Sequence, residues 1–287
     1  VAIGKKLTFL LNPGPALVEP SVLNQSDPNI NINWSFCEFT FNGSVYANIS
    51  YVDFVGIPIS LALKNKAGAT QTVPGMPANG LDTVCNKLNE QSAKDGVAGW
   101  KNLIIQQNGT NLRALSPNSS LGSKPDDFKN YFEPYVDQVW QRYQNSTLTV
   151  RTADNVLNTS GRVAGNNGEL GIDNTGFTRP STKDIFSCDT GPFVTGQEKR
   201  RNVLIPQLCA AFNRSILLKS DAIPGPQAEF YKEPVTNHYA RILHEVAVDG
   251  RGYAFAYDDV NSAEGKDQSG FVNDGNPDVL TVTFGGM

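Results

Sequence analysis

Histidine is nearly absent from this chain: His238 and His244 are the only two among 287 residues. Their spacing of six does not form the helical His-Glu-x-x-His zinc pair, even though Glu245 follows His244, so both are expected to be structural and no metal is expected. Cysteine is scarce as well. Cys37, Cys85, Cys188 and Cys209 make no Cys-x-x-Cys spacing, which excludes zinc ribbons and a thioredoxin-like redox pair. A Gly-x-Ser-x-Gly nucleophile elbow is missing. The segments Gly161–Gly165 and Gly168–Gly171 lack the Lys-Ser/Thr of a phosphate loop, so both read as turns and no cofactor is implied. No apolar run approaches the ~18 residues that span a bilayer. Basic residues are outnumbered, 24 against 28 acidic, for a net charge of -4, which leaves no footprint for nucleic acid or an anionic membrane surface.

With 39% hydrophobic residues the chain is able to bury one large core or two modest ones. Alternating and β-branched runs predict strands at 6–11, 36–41, 45–54 and 57–63, around a Pro/Asn/Gly-rich stretch at 12–33. Near residue 75 the texture changes. Leu81, Val84, Cys85 and Leu88 stand at helical spacing, and a second helical stretch at 125–143 is expected to kink or split at Pro134. A third opens at Thr195-Gly-Gln-Glu198, which reads as a capping box, with Lys199-Arg-Arg201 on a solvated face. After Pro224-Gly-Pro226 the tail returns to strands at 253–257 and 279–284. This order predicts a mainly β protein with a mixed α/β part. A β-domain (1–65 and 225–287) is completed by both chain ends, and a mixed domain (66–224) is inserted between them.

Two of the strands carry an acid. Phe36–Phe41 brings Glu38, and Ile49–Phe54 brings Asp53, into aromatic and β-branched runs where a carboxylate is rarely placed unless paired or used. Two carboxyl groups on one sheet are the minimum equipment for hydrolysing a glycosidic bond. Whether they share a face depends on the turn at Asn42-Gly-Ser-Val45. An even loop puts Glu38, Thr40 and Asn42 on the side of Ile49, Tyr51 and Asp53; an odd loop or a bulge separates them. With Asn42 opposite Val45 the acids lie ~13 Å apart along the strands, and a register two residues later brings them to about 8 Å. The second distance falls within the roughly 6.5–9.5 Å used by inverting glycosidases. Trp34, nearest in sequence, offers a ring to a sugar, whereas Trp100 and Trp140 are expected in the core. Asp258 and Asp259 read either as contacts to sugar hydroxyls from a cleft rim or as turn chemistry.

Nine Asn-x-Ser/Thr sequons occur, at Asn24, Asn33, Asn42, Asn48, Asn108, Asn118, Asn145, Asn158 and Asn213. Chance gives about four, so a secreted glycoprotein is expected. The cysteines then read as two disulfides. Of three pairings, Cys188–Cys209 over a short loop is favoured, which leaves Cys37–Cys85. No leader precedes Val1 and the chain enters a strand at Lys6–Leu11, the pattern expected of a processed or truncated N-terminus.

Three stretches, Glu38-Phe-Thr-Phe-Asn42, Ile49-Ser-Tyr-Val-Asp53 and Gly252-Tyr-Ala-Phe-Ala-Tyr-Asp-Asp259, together resemble the thaumatin-like superfamily. Within it the chain resembles the β-1,3-glucanases of glycoside hydrolase family 64, particularly their secreted fungal members. Further matches are Leu10-Leu-Asn-Pro-Gly-Pro-Ala16, Ala210-Ala-Phe-Asn-Arg-Ser215 and Pro234-Val-Thr-Asn-His-Tyr-Ala-Arg241. Each is weak singly, but the order is specific and the likeness spans nearly the whole chain. The resemblance implies a thaumatin-like β-barrel or sandwich domain plus an inserted α/β domain, forming a crescent with a wide groove. It implies cleavage of β-1,3-glucan with inversion, releasing laminari-oligosaccharides such as the pentaose. The family's catalytic acid matches Glu38 and its base Asp53, with groove residues at Thr40 and Asn42. Tyr46 stands nearest to an expected aromatic that is usually Trp. The chain is expected to act as a monomer on the polysaccharide. The alternative is a non-hydrolytic β-glucan-binding protein of the same fold.

Overall fold

A computed structural model describes residues 20–152, 158–164 and 168–286. The strand expected at 6–11 and the motif at 10–16 lie outside the described residues. In chain order the first strands are β1 (Glu38–Phe41), β2 (Val45–Asn48), β3 (Phe54–Val55), β4 (Ile59–Asn65), β5 (Thr70–Val73), β6 (Ile104–Gln107) and β7 (Thr110–Leu115). They are followed by β8 (Leu148–Arg151), β9 (Asn158–Val163), β10 (Leu170–Ile172), β11 (Thr175–Phe177), β12 (Ala222–Ile223), β13 (Phe271–Asp274) and β14 (Pro277–Phe284). The sheets run β1-β2-β13, β14-β4-β5, β3-β7-β6 and β11-β10-β9-β8-β12. The protein is therefore mainly β with interspersed helices, but among the described residues no sheet closes on itself. Closure needs a hydrogen-bonded ladder continuous around the ring, and strands mostly of two to six residues leave open edges here. The expected barrel is corrected to small open sheets.

The described residues divide into two compact units. One runs to Asp127 and includes Ile242–Ala254 and the stretch from Ser269 onward; the other comprises Phe128–Arg241 and Phe255–Gln268. The first boundary falls at 127 rather than near 65 because β7 pairs with β3 through Phe54↔Leu115 and Val55↔Ala114. That pairing ties the 66–127 stretch to the first unit. Helix α1 (Gly80–Asp95) belongs there and buries the expected Leu81, Val84, Cys85 and Leu88. It stops at Gly96, in the left-handed region (φ 75°), whose N–H donates to the Ser92 carbonyl. Helices α2 (Ala98–Asn102) and α3 (Pro117–Leu121) complete the first unit's middle stretch.

In the second unit, α4 (Glu133–Asn145) carries Pro134 in its first turn, so the expected helical stretch is split there and not kinked. A proline in the first turn removes only an N–H that has no helical partner anyway. Helix α5 (Thr182–Ser187) carries a capping box formed by Ser181 and Asp184. The box expected at Thr195–Glu198 does not form: α6 (Lys199–Asn213) begins without a side-chain cap, and Glu198 instead accepts the Thr175 hydroxyl at 2.9 Å. Arg201 leaves the expected solvated face, donating to the Gly176 carbonyl with its guanidinium 4.6 Å from the Phe177 ring centroid. Helix α7 (His238–Val246) follows. No described helix is long and apolar enough to cross a membrane.

All four cysteines are free, buried thiols, so neither expected bridge is present. Such a thiol is a satisfactory small apolar core residue without oxidation. Burial pushes the Cys37 thiol up and pushes Cys85 up to about 12; burial, with the Cys188 thiol beside it, also raises Cys209 well above its ordinary value.

Candidate active site

The β1–β2 hairpin closes with Phe41 opposite Val45, leaving three residues, Asn42 to Ser44, in the loop. Gly43 at φ 97° supplies the left-handed conformation that a side chain would disfavour. The loop is odd, not even, so Glu38 faces the same side as Asn48. Directly opposed residues in an antiparallel sheet point the same way. One face of the sheet therefore presents two rows, Glu38–Asn48–Phe271 and Thr40–Tyr46–Asn273. Phe39, Phe41, Ala47, Val45, Val272 and Asp274 take the other face. Tyr46 stacks on Phe271, with centroids 5.0 Å apart and planes at 15°, and stays 40% exposed. Glu38 and Thr40 are exposed. Asn42 is exposed in the loop, its Oδ1 accepting the Ser44 hydroxyl at 2.8 Å. An acid, a hydroxyl, amides and an aromatic face thus converge on one surface, a combination suited to a sugar polymer.

Asp53 is not on a strand. After Asn48 the chain changes partner: the Tyr51 N–H donates to the Tyr253 carbonyl (2.7 Å) and the Tyr253 N–H to the Ile49 carbonyl (3.3 Å). Gly252 permits this approach, since a Cβ there would lie 2.6 Å from the Tyr51 ring. The continuous strand expected over 45–54 is thereby broken, and strand parity no longer decides the side of Asp53. The residue sits in a bend just before β3, exposed. Its carbonyl accepts the Ser116 N–H at 2.8 Å, and the Ser116 hydroxyl caps α3 by accepting the Ser119 N–H. The next residue, Phe54, meets Trp34 edge-on with centroids 4.6 Å apart. The main chain at Asp53 is thus fixed by a ladder on one side and a core on the other.

Trp34 is that core, not a sugar platform. It is 7% exposed and clusters with Phe54 and Leu115. The Arg113 guanidinium lies 5.6 Å from its ring centroid and donates to the carbonyls of Ile30 (2.9 Å) and Ile32 (2.6 Å). Burial lowers the pKa of this arginine from its ordinary value. Trp34→Ala is expected to cost roughly 3–5 kcal/mol of stability. A urea melt checks it; a midpoint equal to wild type would remove Trp34 from the support of Asp53.

Asp258 and Asp259 belong to the second unit. Asp258 is fully buried and ion-paired at 3.0 Å with Arg214, itself 1% exposed, so it presents no surface to a sugar. Only Asp259 is exposed. His238 accepts from the Arg241 guanidinium at Nδ1 (3.0 Å), and His244 Nδ1 lies 2.9 Å from the Gly250 carbonyl. Among the described residues no group of three or more His, Cys, Asp or Glu is placed to hold a metal ion. Asn48 and Phe271 were not legible as site residues in the sequence; only the register brings them beside Glu38.

A family model described as β-1,3-glucanase, of glycoside hydrolase family 64, matches residues 1–284. Two curated glucan endo-1,3-β-glucosidases are similar. One, from Arthrobacter sp. (strain YCWD3), is 30% identical over 292 residues; the other, from Cellulosimicrobium cellulans, is 30% identical over 291. Each match covers 97% of this chain and 50% of the relative, so the chain spans about half the length of these curated relatives. Among solved structures, that of a laminaripentaose-producing β-1,3-glucanase in complex with laminaritetraose aligns with a TM-score of 0.81 at 32% identity. That alignment covers 92% of this chain and 72% of the other.

Proposed function

This chain belongs to the β-1,3-glucanases of glycoside hydrolase family 64, and from that premise we propose that it hydrolyses β-1,3-glucan with inversion, using Glu38 as acid and Asp53 as base. Protonated Glu38 gives its proton to the glycosidic oxygen as the bond to the anomeric carbon breaks and its electron pair passes to that oxygen. Ionised Asp53 takes a proton from a water whose oxygen bonds the anomeric carbon from the opposite side. Solvent then resets both carboxyl groups. Tyr46 lies against the apolar side of a pyranose, and Thr40 and Asn42 bind hydroxyls.

The observation that carries this reading is the sheet face on which Glu38, Thr40 and stacked Tyr46 stand together. The products are laminari-oligosaccharides, the product class of the solved relative named for laminaripentaose. The protein is a secreted monomer of thaumatin-like ancestry. Two of its sequons are unused, because Asn48 and Asn213 are buried.

Linear β-1,3-glucan incubated with wild type and with Asp53→Asn tests the proposal. Wild type is expected to release oligosaccharides whose new reducing ends appear first as the α-anomer in NMR. The variant is expected to be slower by about 10²–10⁴-fold. Initial β-anomer would overturn inversion. Binding without products from wild type would leave the non-hydrolytic glucan-binding reading in its place.

A further inference from the structure

The central residue of the Glu38 row has no role in the function just described. Asn48 is 8% exposed and stands on β2 directly opposite Glu38, with Phe271 on its other side. Its Oδ1 is buried and accepts no hydrogen bond. A buried acceptor left without a donor is unfavourable, and native structures keep few of them without a reason. The aromatic ring of Phe271 supplies no conventional donor. On the same face, opposed Cβ atoms are typically about 4.5–5.5 Å apart, a span that a carboxyl and an amide bridge with a single hydrogen bond. Glu38 is the one neighbour in the row that gains a donor when protonated.

We propose that Asn48 is the positioning residue for the catalytic acid, its amide oxygen accepting a hydrogen bond from protonated Glu38. The bond exists only while the acid carries its proton, so Asn48 holds Glu38 in the form that donates to the leaving oxygen. A carboxylic acid has a single proton, so the bond to Asn48 is given up as that proton passes to the glycosidic oxygen; until then it keeps Glu38 protonated and its carboxyl in place. The environment permits this. Tyr46 is the only other titratable group on this face of β1, β2 and β13, and Asp274 projects from the opposite face. Cys37, which precedes Glu38 in the chain, is buried. The proposal rests on Glu38 being the acid, and the experiment separates the two ideas.

The experiment measures kcat/KM on linear β-1,3-glucan against pH for wild type, Asn48→Leu, Asn48→Asp and Glu38→Gln, with folding checked by circular dichroism. The alkaline limb reports loss of the acid's proton. Asn48→Leu removes a bond made only to the protonated form, so its limb moves to lower pH by about one unit. Above the wild-type limb its kcat falls by up to about tenfold with KM little changed, and below the limb it stays near wild type. Asn48→Asp places a like charge beside Glu38, so its limb moves to higher pH by about one unit. The downward movement in Asn48→Leu is the diagnostic one, because an apolar neighbour that merely desolvated Glu38 would move the limb upward. If Asn48→Leu does not fold, Asn48→Ala, which also lacks the acceptor, is read in the same way and its downward movement decides. If both limbs coincide with wild type while Glu38→Gln is inactive, Asn48 has no such role and the acid assignment stands. If Glu38→Gln keeps wild-type activity within a few-fold, the acid assignment falls and Asn48 with it.

Discussion

Glu38→Gln is expected to slow hydrolysis of β-1,3-glucan by about 10²–10⁴-fold. Glutamine matches the shape and hydrogen-bonding reach of the carboxyl but has no proton to give a departing alkoxide. The lost interaction is made in the transition state rather than with bound substrate, so kcat and kcat/KM fall together and KM stays near wild type. The leaving group supplies a second handle. An aryl laminari-oligosaccharide with an acidic phenol needs little protonation, and the variant is expected to recover much of its deficit on that substrate. Steady-state kinetics on both substrates check the result. An equal deficit on both would assign Glu38 to binding or folding instead of proton transfer.

Asp258→Asn is expected to lower stability by roughly 3–5 kcal/mol, the usual cost of breaking a buried ion pair by removing one partner. Arg214 donates to the Asp258 carboxylate (3.0 Å), to the Asp258 carbonyl (2.9 Å) and to the Val260 carbonyl (2.6 Å). Its guanidinium also lies 4.5 Å from the Phe230 ring centroid. Removing the carboxylate charge leaves a cation in a site that water does not reach. Replacing both partners with apolar residues of similar volume removes the stranded charge and is expected to recover most of the loss. Urea melts of the single and double variants measure this; a single variant within about 1 kcal/mol of wild type, as exposed pairs give, would show that the pair is not isolated from solvent.

Glu38 and Asp53 stood out in the sequence because a carboxylate inside an aromatic and β-branched run is unusual. Their mutual placement was not legible there. Loop parity turns on a single residue, and the hairpin closes at Phe41↔Val45 instead of Asn42↔Val45. The end of β2 depends on Tyr253, about two hundred residues further on, so no local pattern marks the break before Asp53. Helical spacing found the buried stripe of α1 because 3.6-residue periodicity is local information. Trp34 illustrates the opposite case: proximity in sequence suggested a sugar platform, yet Phe54 and Arg113, distant along the chain, claim both the ring and its surroundings. Asp258 failed for the same reason, since its partner Arg214 lies 44 residues earlier in the chain.

The unbridged cysteines give the molecule a built-in pair of silent clocks. Cys37 and Cys85 lie in the first unit and Cys188 and Cys209 in the second, all beyond the reach of solvent. Thiol reagents attack the thiolate, which burial both hides and disfavours at Cys37, Cys85 and Cys209. Modification must therefore wait for the surrounding unit to open, and its rate follows the free energy of that opening. Because each unit holds two thiols of its own, the rate at each pair measures the opening of its own unit with chemistry that no substitution had to introduce.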